Sequence, residues 1–210
     1  MSGAVDNAFF ARLWTLMSAH ESEPMRRLRR QNLSGLRGRV LEVGAGTGTN
    51  FEFYPDTVTE VVAIEPERRL APLARQAAAA AAVPVTVTEQ RVEELTDSGP
   101  FDAIVCSLVL CSIDEPEKVV QQLSSLLRPG GELHYLEHVA SPGGRGRLQR
   151  FVDATFWPRL FGNCHTHRHT EEIVARSGLT VTTGRRESTM PAWVPMPVSE
   201  LAVGVAVRPG

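Results

Sequence analysis

Short β-branched runs and longer amphipathic stretches alternate along most of this 210-residue chain. Apolar runs closed by turn or acidic residues predict strands at GRVLEVG (38–44), VTEVVAIE (58–65), VPVTVTE (83–89), FDAIVCSLV (101–109) and GELHYLEHV (131–139). Helical patterns lie between them at PERRLAPLARQAAAAAA (66–82) and EPEKVVQQLSSLLRPGG (115–131). The second has Asp114 as its expected N-cap, Pro116 in its first turn and RPGG as its stop. Thr170 is the expected N-cap of a further helix, EEIVARSG (171–178). LTVTTGRRES (179–188) and SELAVGVAVRP (199–209) read as two closing strands, joined by the proline-rich MPAWVPMP. Strand–helix alternation implies an α/β architecture, a parallel sheet with helices on both faces and right-handed crossovers. Neither a linker nor an internal repeat interrupts it, so residues 1–210 are expected to form a single domain.

Before the first strand, residues 6–34 predict one or two helices. FFARLWTLM lines up Phe9, Phe10, Leu13, Trp14, Leu16 and Met17 as an apolar stripe, while the arginines of RRLRRQ (26–31) read as a solvated face. The stripe has two readings, a cover over a pocket or plain core packing.

Composition narrows the class. A chain with 42% hydrophobic residues and a net charge of −2 has no broad basic surface for nucleic acid. Three cysteines (106, 111 and 164) form no paired framework, so reduced thiols in a cytoplasmic protein are expected. The opening residues MSGAVDNAFFARLW carry neither a signal-peptide pattern nor a membrane-spanning run.

The chemistry concentrates in VLEVGAGTGTNF (40–51), where a strand ends in Glu42 and Gly44, Gly46 and Gly48 follow at spacing two. Glycines let a ligand approach the backbone, and the turn suits an adenosine-containing molecule. Dinucleotide sites use G-x-G-x-x-G to seat a pyrophosphate. The E-x-G-x-G-x-G spacing places a carboxylate by the turn instead, which suits a cationic ligand. Glu65, 17 residues after Gly48, ends the second strand where an acid can accept hydrogen bonds from ribose hydroxyls; its competing role is to cap the segment after Pro66. A second unusual stretch, GNCHTHRHT (162–170), places Cys164, His165, His167 and His169 within six positions. It reads as a pocket loop, a solvated loop or, with three imidazoles at spacing two, a zinc site. Cys164 itself is either a small apolar side chain or a reactive thiol.

Together with LRPGG before the fifth strand, these motifs resemble class I S-adenosylmethionine-dependent methyltransferases of the small, UbiE-like type, over nearly all of residues 36–185. Within that class, IVCSLVLCSI, LRPGGELHYLEHV and DATFWPRLFGNCHTHR are similar to the methyltransferase-like family that includes the mammalian alkyl thiol S-methyltransferases. The resemblance implies a Rossmann-like, seven-stranded, mostly parallel sheet with one antiparallel strand near the C-terminus and extra N-terminal helices. It implies S-adenosylmethionine as cofactor and S-adenosylhomocysteine as product. Gly44, Gly46 and Gly48 become the cofactor turn, Glu42 lies near the methionine end, Glu65 holds the ribose and Pro66 packs near the adenine. QRVEEL (90–95) falls where the family grips the adenine edge; Arg91 replaces the common aspartate, so the Val92 backbone is the expected contact. Cys106 is expected at the cofactor from its place at the end of the fourth strand. The family's hydrophobic N-terminal anchor has no counterpart in the opening residues, so no stable membrane insertion is expected.

The acceptor expected from this resemblance is a small molecule, with a thiol or dithiol ahead of a phenol or quinol; a cofactor-binding protein without turnover is the reading from another class. Residues 1–35 become a helical lid and 140–170 a substrate-pocket insertion. Phe9, Trp14, Met17, Phe156 and Cys164 are the expected acceptor contacts, and His165 or His138 the expected base. His134, four residues before His138, is deeper and structural. Methyl transfer from a sulfonium needs no metal, and no metal site is expected; Cys106 and Cys111 have no metal-ligand partners at matching spacing and read as core or pocket lining. Monomer and homodimer are both open.

Overall fold

The computed structural model describes residues 6–95, 99–191, 193–194 and 196–210. The first five residues of the expected lid, and Ala192 and Pro195 of the proline-rich connection, lie outside them. Seven strands form one sheet in the order β3-β2-β1-β4-β5-β7-β6. They are β1 (Gly38–Val43), β2 (Val58–Ile64), β3 (Val85–Thr88), β4 (Phe101–Ser107), β5 (Leu127–His138), β6 (Thr180–Ser188) and β7 (Glu200–Val207). β1 to β5 pair in parallel, and β7 runs antiparallel to both β5 and β6. This is the seven-stranded, mostly parallel, Rossmann-like sheet expected, with β7 as its antiparallel strand.

Alternation along each strand divides the core. Leu41, Val43, Ile104 and Cys106 face one layer together with Val119, Val120 and Leu123 of α4 (Pro116–Leu126) and Ile173 and Val174 of α7 (Thr170–Arg176). Val40, Val61, Ala103 and Val105 face the other, against Leu33 of α2 (Glu23–Leu33) and Ala74 of α3 (Ala71–Ala79). Both layers are fully buried, as a parallel sheet requires. β1 lies between β2 and β4, so the chain order reverses there. Ligands of open α/β sheets sit outside the carboxyl ends of the strands at such a reversal.

The N-terminal region forms two helices, α1 (Ala8–Ala19) and α2. Asn7 Oδ1 caps α1 by accepting from the Phe10 N–H at 3.0 Å. Two other caps differ from expectation. Asp114 caps nothing: Glu115 holds the N-cap position of α4, and the Asp114 carboxylate accepts from Asn163 Nδ2 at 2.7 Å. Thr170 is already the first helical residue of α7, after His169. α3 begins at Ala71 rather than at 66, because the Glu67 carboxylate folds residues 67–70 into a turn by accepting from the N–H groups of Arg69 and Leu70. The basic stretch is not wholly solvated either. Arg29 is 3% exposed and ion-paired to Glu21 at 2.9 Å. After β5 come α5 (Gly143–Thr155) and the short α6 (Trp157–Leu160), which lead into the histidine-rich loop.

Candidate active site

A cavity of about 360 Å³ opens at the carboxyl ends of β1 and β4, where the reversal places it. One end is the glycine turn. Gly46 adopts φ +59°, and a Cβ there would stand 2.6 Å from Trp14 Nε1, so only glycine lets α1 close over the turn. Gly162 (φ +61°) does the same for Phe10 on the opposite wall, at 2.8 Å. Phe10 and Trp14, one helical turn apart, thus rest on two glycines from distant parts of the chain.

Glu65 lines the cavity and is held on both oxygens: Oε2 accepts from Gly46 N–H at 2.6 Å and Oε1 from Glu67 N–H at 2.9 Å. Burial pushes its carboxyl up to about 7 despite those two bonds. Glu42 sits one layer behind, accepting from Tyr54 Oη at 2.6 Å and Asn50 Nδ2 at 2.9 Å, and burial raises it to about 7 as well. Asn50 also donates to Ser107 Oγ at 3.2 Å, on the cavity wall, and accepts from Arg29 Nη1 at 3.0 Å. A chain of polar contacts therefore runs from α2 through Arg29 and Asn50 to Ser107 on the cavity wall, and Glu42, expected at the methionine end, is a buried branch of it that does not line the cavity.

The sequence-expected cofactor residues divide accordingly. Gly44, Gly46, Glu65, Pro66, Arg91 and Val92 line the cavity. Gly48 packs instead where Phe51 and Ala77 leave no room for a Cβ, so it serves packing. Cys106 is fully buried in the sheet core, because alternation turns it away while Ser107 faces the cavity. Glu67, Leu70 and Glu93 line the same end and were not anticipated.

The other end is built by Leu108, Val109, Ser112, Ile113 and Asp114 after β4, with Gly162 and Asn163 across from them. Leu108 has φ +59°, a strained value for a branched residue. Glu137, buried in β5, holds this turn by accepting from the N–H groups of Val109 and Leu110 at 2.9 Å and of Cys111 at 3.3 Å. Sequence reasoning missed Glu137, although an acid ending an apolar strand is the signal that identified Glu42 and Glu65.

Several expected acceptor contacts lie elsewhere. Phe9 and Met17 are 56% and 51% exposed and do not line the cavity: Phe9 is turned off the Phe10–Trp14 face of α1, and Met17 continues that face beyond the cavity. Phe156 is 45% exposed; its neighbour Trp157 is the buried member of the pair. His138, His165 and Cys164 do not line the cavity. The His165 N–H donates to the Cys111 carbonyl at 2.8 Å, which makes the residue part of the wall's frame. His167 accepts from Arg150 and His169 faces Glu172, while Asp153 fixes the loop by accepting from the N–H groups of Thr166 and His167. The His167 and His169 rings thus have separate polar partners while meeting edge to face at 5.3 Å, and His165 is held through its main chain. Among the described residues the side chains that converge closely enough to share an ion are Cys111, His138 and Cys164. His134 is buried and bonded to the Asn32 carbonyl and Glu132, as a structural residue would be.

The fold and the glycine–glutamate end define a Rossmann-like methyltransferase. The described chain has its shape in common with the N-methyltransferase NodS from Bradyrhizobium japonicum in complex with S-adenosyl-L-homocysteine (TM-score 0.71, 16% identity, 97% of this chain and 100% of that one). Residues 17–183 match the family described as a methyltransferase domain, and the chain belongs to that family of S-adenosylmethionine-dependent methyltransferases. Among its relatives, thiol S-methyltransferase TMT1B from Mus musculus is 31% identical over 210 residues, covering 93% of this chain and 82% of the relative. A ubiquinone biosynthesis O-methyltransferase from Xanthomonas axonopodis pv. citri is 35% identical over 97 residues, 45% of this chain and 41% of the relative.

The residues present fit the cofactor. The cavity volume is in the range of small-ligand sites. It is floored by backbone at Gly44 and Gly46 and carries a buried carboxyl, Glu65, whose ionised form is costly until a hydrogen-bonding or cationic ligand meets it. When bound, S-adenosylmethionine supplies a methyl group already activated on a sulfonium. No helix of the described residues is long and apolar enough to cross a membrane.

Proposed function

We propose that the chain methylates the sulfur of a small-molecule thiol or dithiol. The match to a thiol S-methyltransferase across 93% of this chain carries the reading. In it, α1 and α2 act as the cover, residues 140–170 supply part of the acceptor wall, and Glu65 with the glycine turn holds the cofactor. Phe10, Trp14, Leu108, Val109 and Ile113 exclude water from the space beyond the turn. A thiolate entering that space sheds its hydration shell and becomes the stronger nucleophile. A cysteine-like thiol has a pKa of about 8.5 in water, so an ionised fraction exists near neutrality without a dedicated base. Asp114 and Asn163, bonded to each other across the rim, present polar atoms where an acceptor would enter.

A panel assay with labelled methyl donor tests this, covering alkyl thiols, dithiols, catechols and quinols. Saturable labelling of thiols is expected, and Trp14→Ala should raise the acceptor KM several-fold. Labelling of oxygen acceptors alone overturns the thiol reading in favour of O-methylation. Intact S-adenosylhomocysteine binding with no turnover on any acceptor indicates a cofactor-binding protein without catalysis.

A further inference from the structure

Three of the chain's softest donors meet behind the acceptor wall, outside the cavity. Cys111 Sγ and Cys164 Sγ are 3.5 Å apart, and His138 Nδ1 stands 3.7 Å from the first and 3.6 Å from the second. They come from the turn after β4, the end of β5 and the loop after α6, so the fold rather than the sequence assembles them. Both thiols are free and buried, among Val152 and Trp157 with Leu148, Phe161 and Val198 packed around them; the imidazole is half-buried.

We propose that Cys111, Cys164 and His138 form a binding site for a thiophilic divalent cation of the zinc class. A tetrahedral ion with Zn–S near 2.3 Å and Zn–N of about 2.0–2.1 Å needs donor separations of roughly 3.8 Å between sulfurs and roughly 3.5 Å from sulfur to nitrogen. The observed triangle meets those values with shifts of a few tenths of an ångström. Soft thiolates with one imidazole select zinc-like or cuprous ions over magnesium or calcium. On binding, both thiols release their protons to solvent, the two thiolates balance the ion's two charges, and His138 Nδ1 gives its lone pair as neutral imidazole. Three protein donors leave a fourth position for water.

The placement assigns the ion a positioning role. Ser112 and Asn163, the neighbours of Cys111 and Cys164, both line the cavity, and Asn163 Nδ2 already donates to the Ser112 carbonyl at 2.8 Å. A cation would staple these two segments of the acceptor wall together. It does not enter methyl transfer, and the inference is independent of which acceptor is used.

The test uses the full chain, reduced and stripped of metal, titrated with cobalt(II) as a spectroscopic probe and then with zinc. One equivalent of cobalt should give a thiolate charge-transfer band that zinc displaces, and zinc should raise the melting temperature. Cys111→Ser, Cys164→Ser and His138→Ala should each weaken binding at least about tenfold, with S-adenosylhomocysteine binding reporting that the variant folds. Cys106→Ala and the double variant His167→Ala/His169→Ala should leave metal affinity unchanged. Zinc-edge X-ray absorption of the wild-type protein gives the answer without any variant, with two sulfur donors expected in the zinc shell. No charge-transfer band in the reduced wild type overturns the proposal. So does a shell without two sulfurs, or a band lost only in the His167/His169 variant.

Discussion

Glu65 meets Gly46 across 19 residues of chain, whereas the opposite wall brings Phe10, Ser112 and Asn163 together from three distant segments. The first end is polar and locally encoded. Two strands end side by side, and their acids and glycines fall into place because β1 and β2 are neighbours in sequence and in the sheet. The acceptor end is more apolar and assembled, with Phe10 resting on Gly162, far along the chain. Chemistry common to every methyl acceptor can be fixed by a compact motif. Selection of one acceptor is left to loops, which vary at little cost to the core.

If that contrast holds, the largest energetic effect should follow from breaking the polar chain behind the cofactor end. Arg29→Ala removes a buried guanidinium and strands Glu21 and Asn50. Loss of one partner of a buried pair typically costs about 3–5 kcal/mol. Chemical denaturation should show a loss of that size. Phe9→Ala, on the exposed side of α1, should change stability by less than about 0.5 kcal/mol. Equal effects of the two would mean that α1 is as much a part of the core as the Arg29 network.

The same division decided what could be read from the chain. Strands β2 and β4 were legible within two residues because their apolar runs are closed by Glu65 and by the turn after Ser107. Glu65, Gly44, Gly46 and Pro66 were legible because spacing along one β–turn–β unit fixes them in space. Phe9 was misplaced because α1 is apolar nearly all round and only its seat on Gly46 and Gly162 selects the Phe10–Trp14 face, whereas Met17 lies on that face but beyond the cavity. Cys106 was misplaced by one residue, since a single step along a strand reverses a side chain. The Cys111–His138–Cys164 cluster was illegible: strand pairing and a loop anchored by Asp153 bring its members together, and no local pattern records that.

A smaller effect, and one that sharpens the cofactor side, comes from pH. Burial raises Glu65 to about 7, above the usual carboxylate value near 4.5. A carboxyl raised in the folded state favours folding fully below its unfolded pKa, and that contribution is lost as pH rises through about 7. Glu65→Gln cannot ionise. In ligand-free protein its stability relative to wild type should therefore increase from about pH 4.5 to about 7 and then level, by an amount of order 3 kcal/mol. Ligand binding should run the other way. The ionised carboxylate is the better acceptor, so wild-type affinity for S-adenosylhomocysteine should rise through pH 7, while Glu65→Gln stays flat and about 10- to 100-fold weaker above it. A flat wild-type affinity profile would show that Glu65 is ionised, or unused, in both states.

The smallest effect is expected at the residue whose chemistry looks most capable. His165 follows Cys164 in the histidine-rich loop, yet its ring does not line the cavity and its backbone frames the wall through the Cys111 carbonyl. A general base contributes about 10²–10⁴-fold. A framing residue whose bond is made by the main chain contributes almost nothing through its ring, so His165→Ala should keep kcat/KM for a thiol within about threefold. The pH profile separates the cases further. If the acceptor arrives as thiolate, kcat/KM rises with pH according to the pKa of the substrate itself, about 8.5 for a cysteine-like thiol, higher for a simple alkyl thiol and lower for a more acidic one. That midpoint should move with the substrate and stay put in His165→Ala. A midpoint fixed near neutrality across substrates, together with a hundredfold loss in the variant, would place a working imidazole at the acceptor end after all, and the apolar wall would then be its setting rather than a substitute for it.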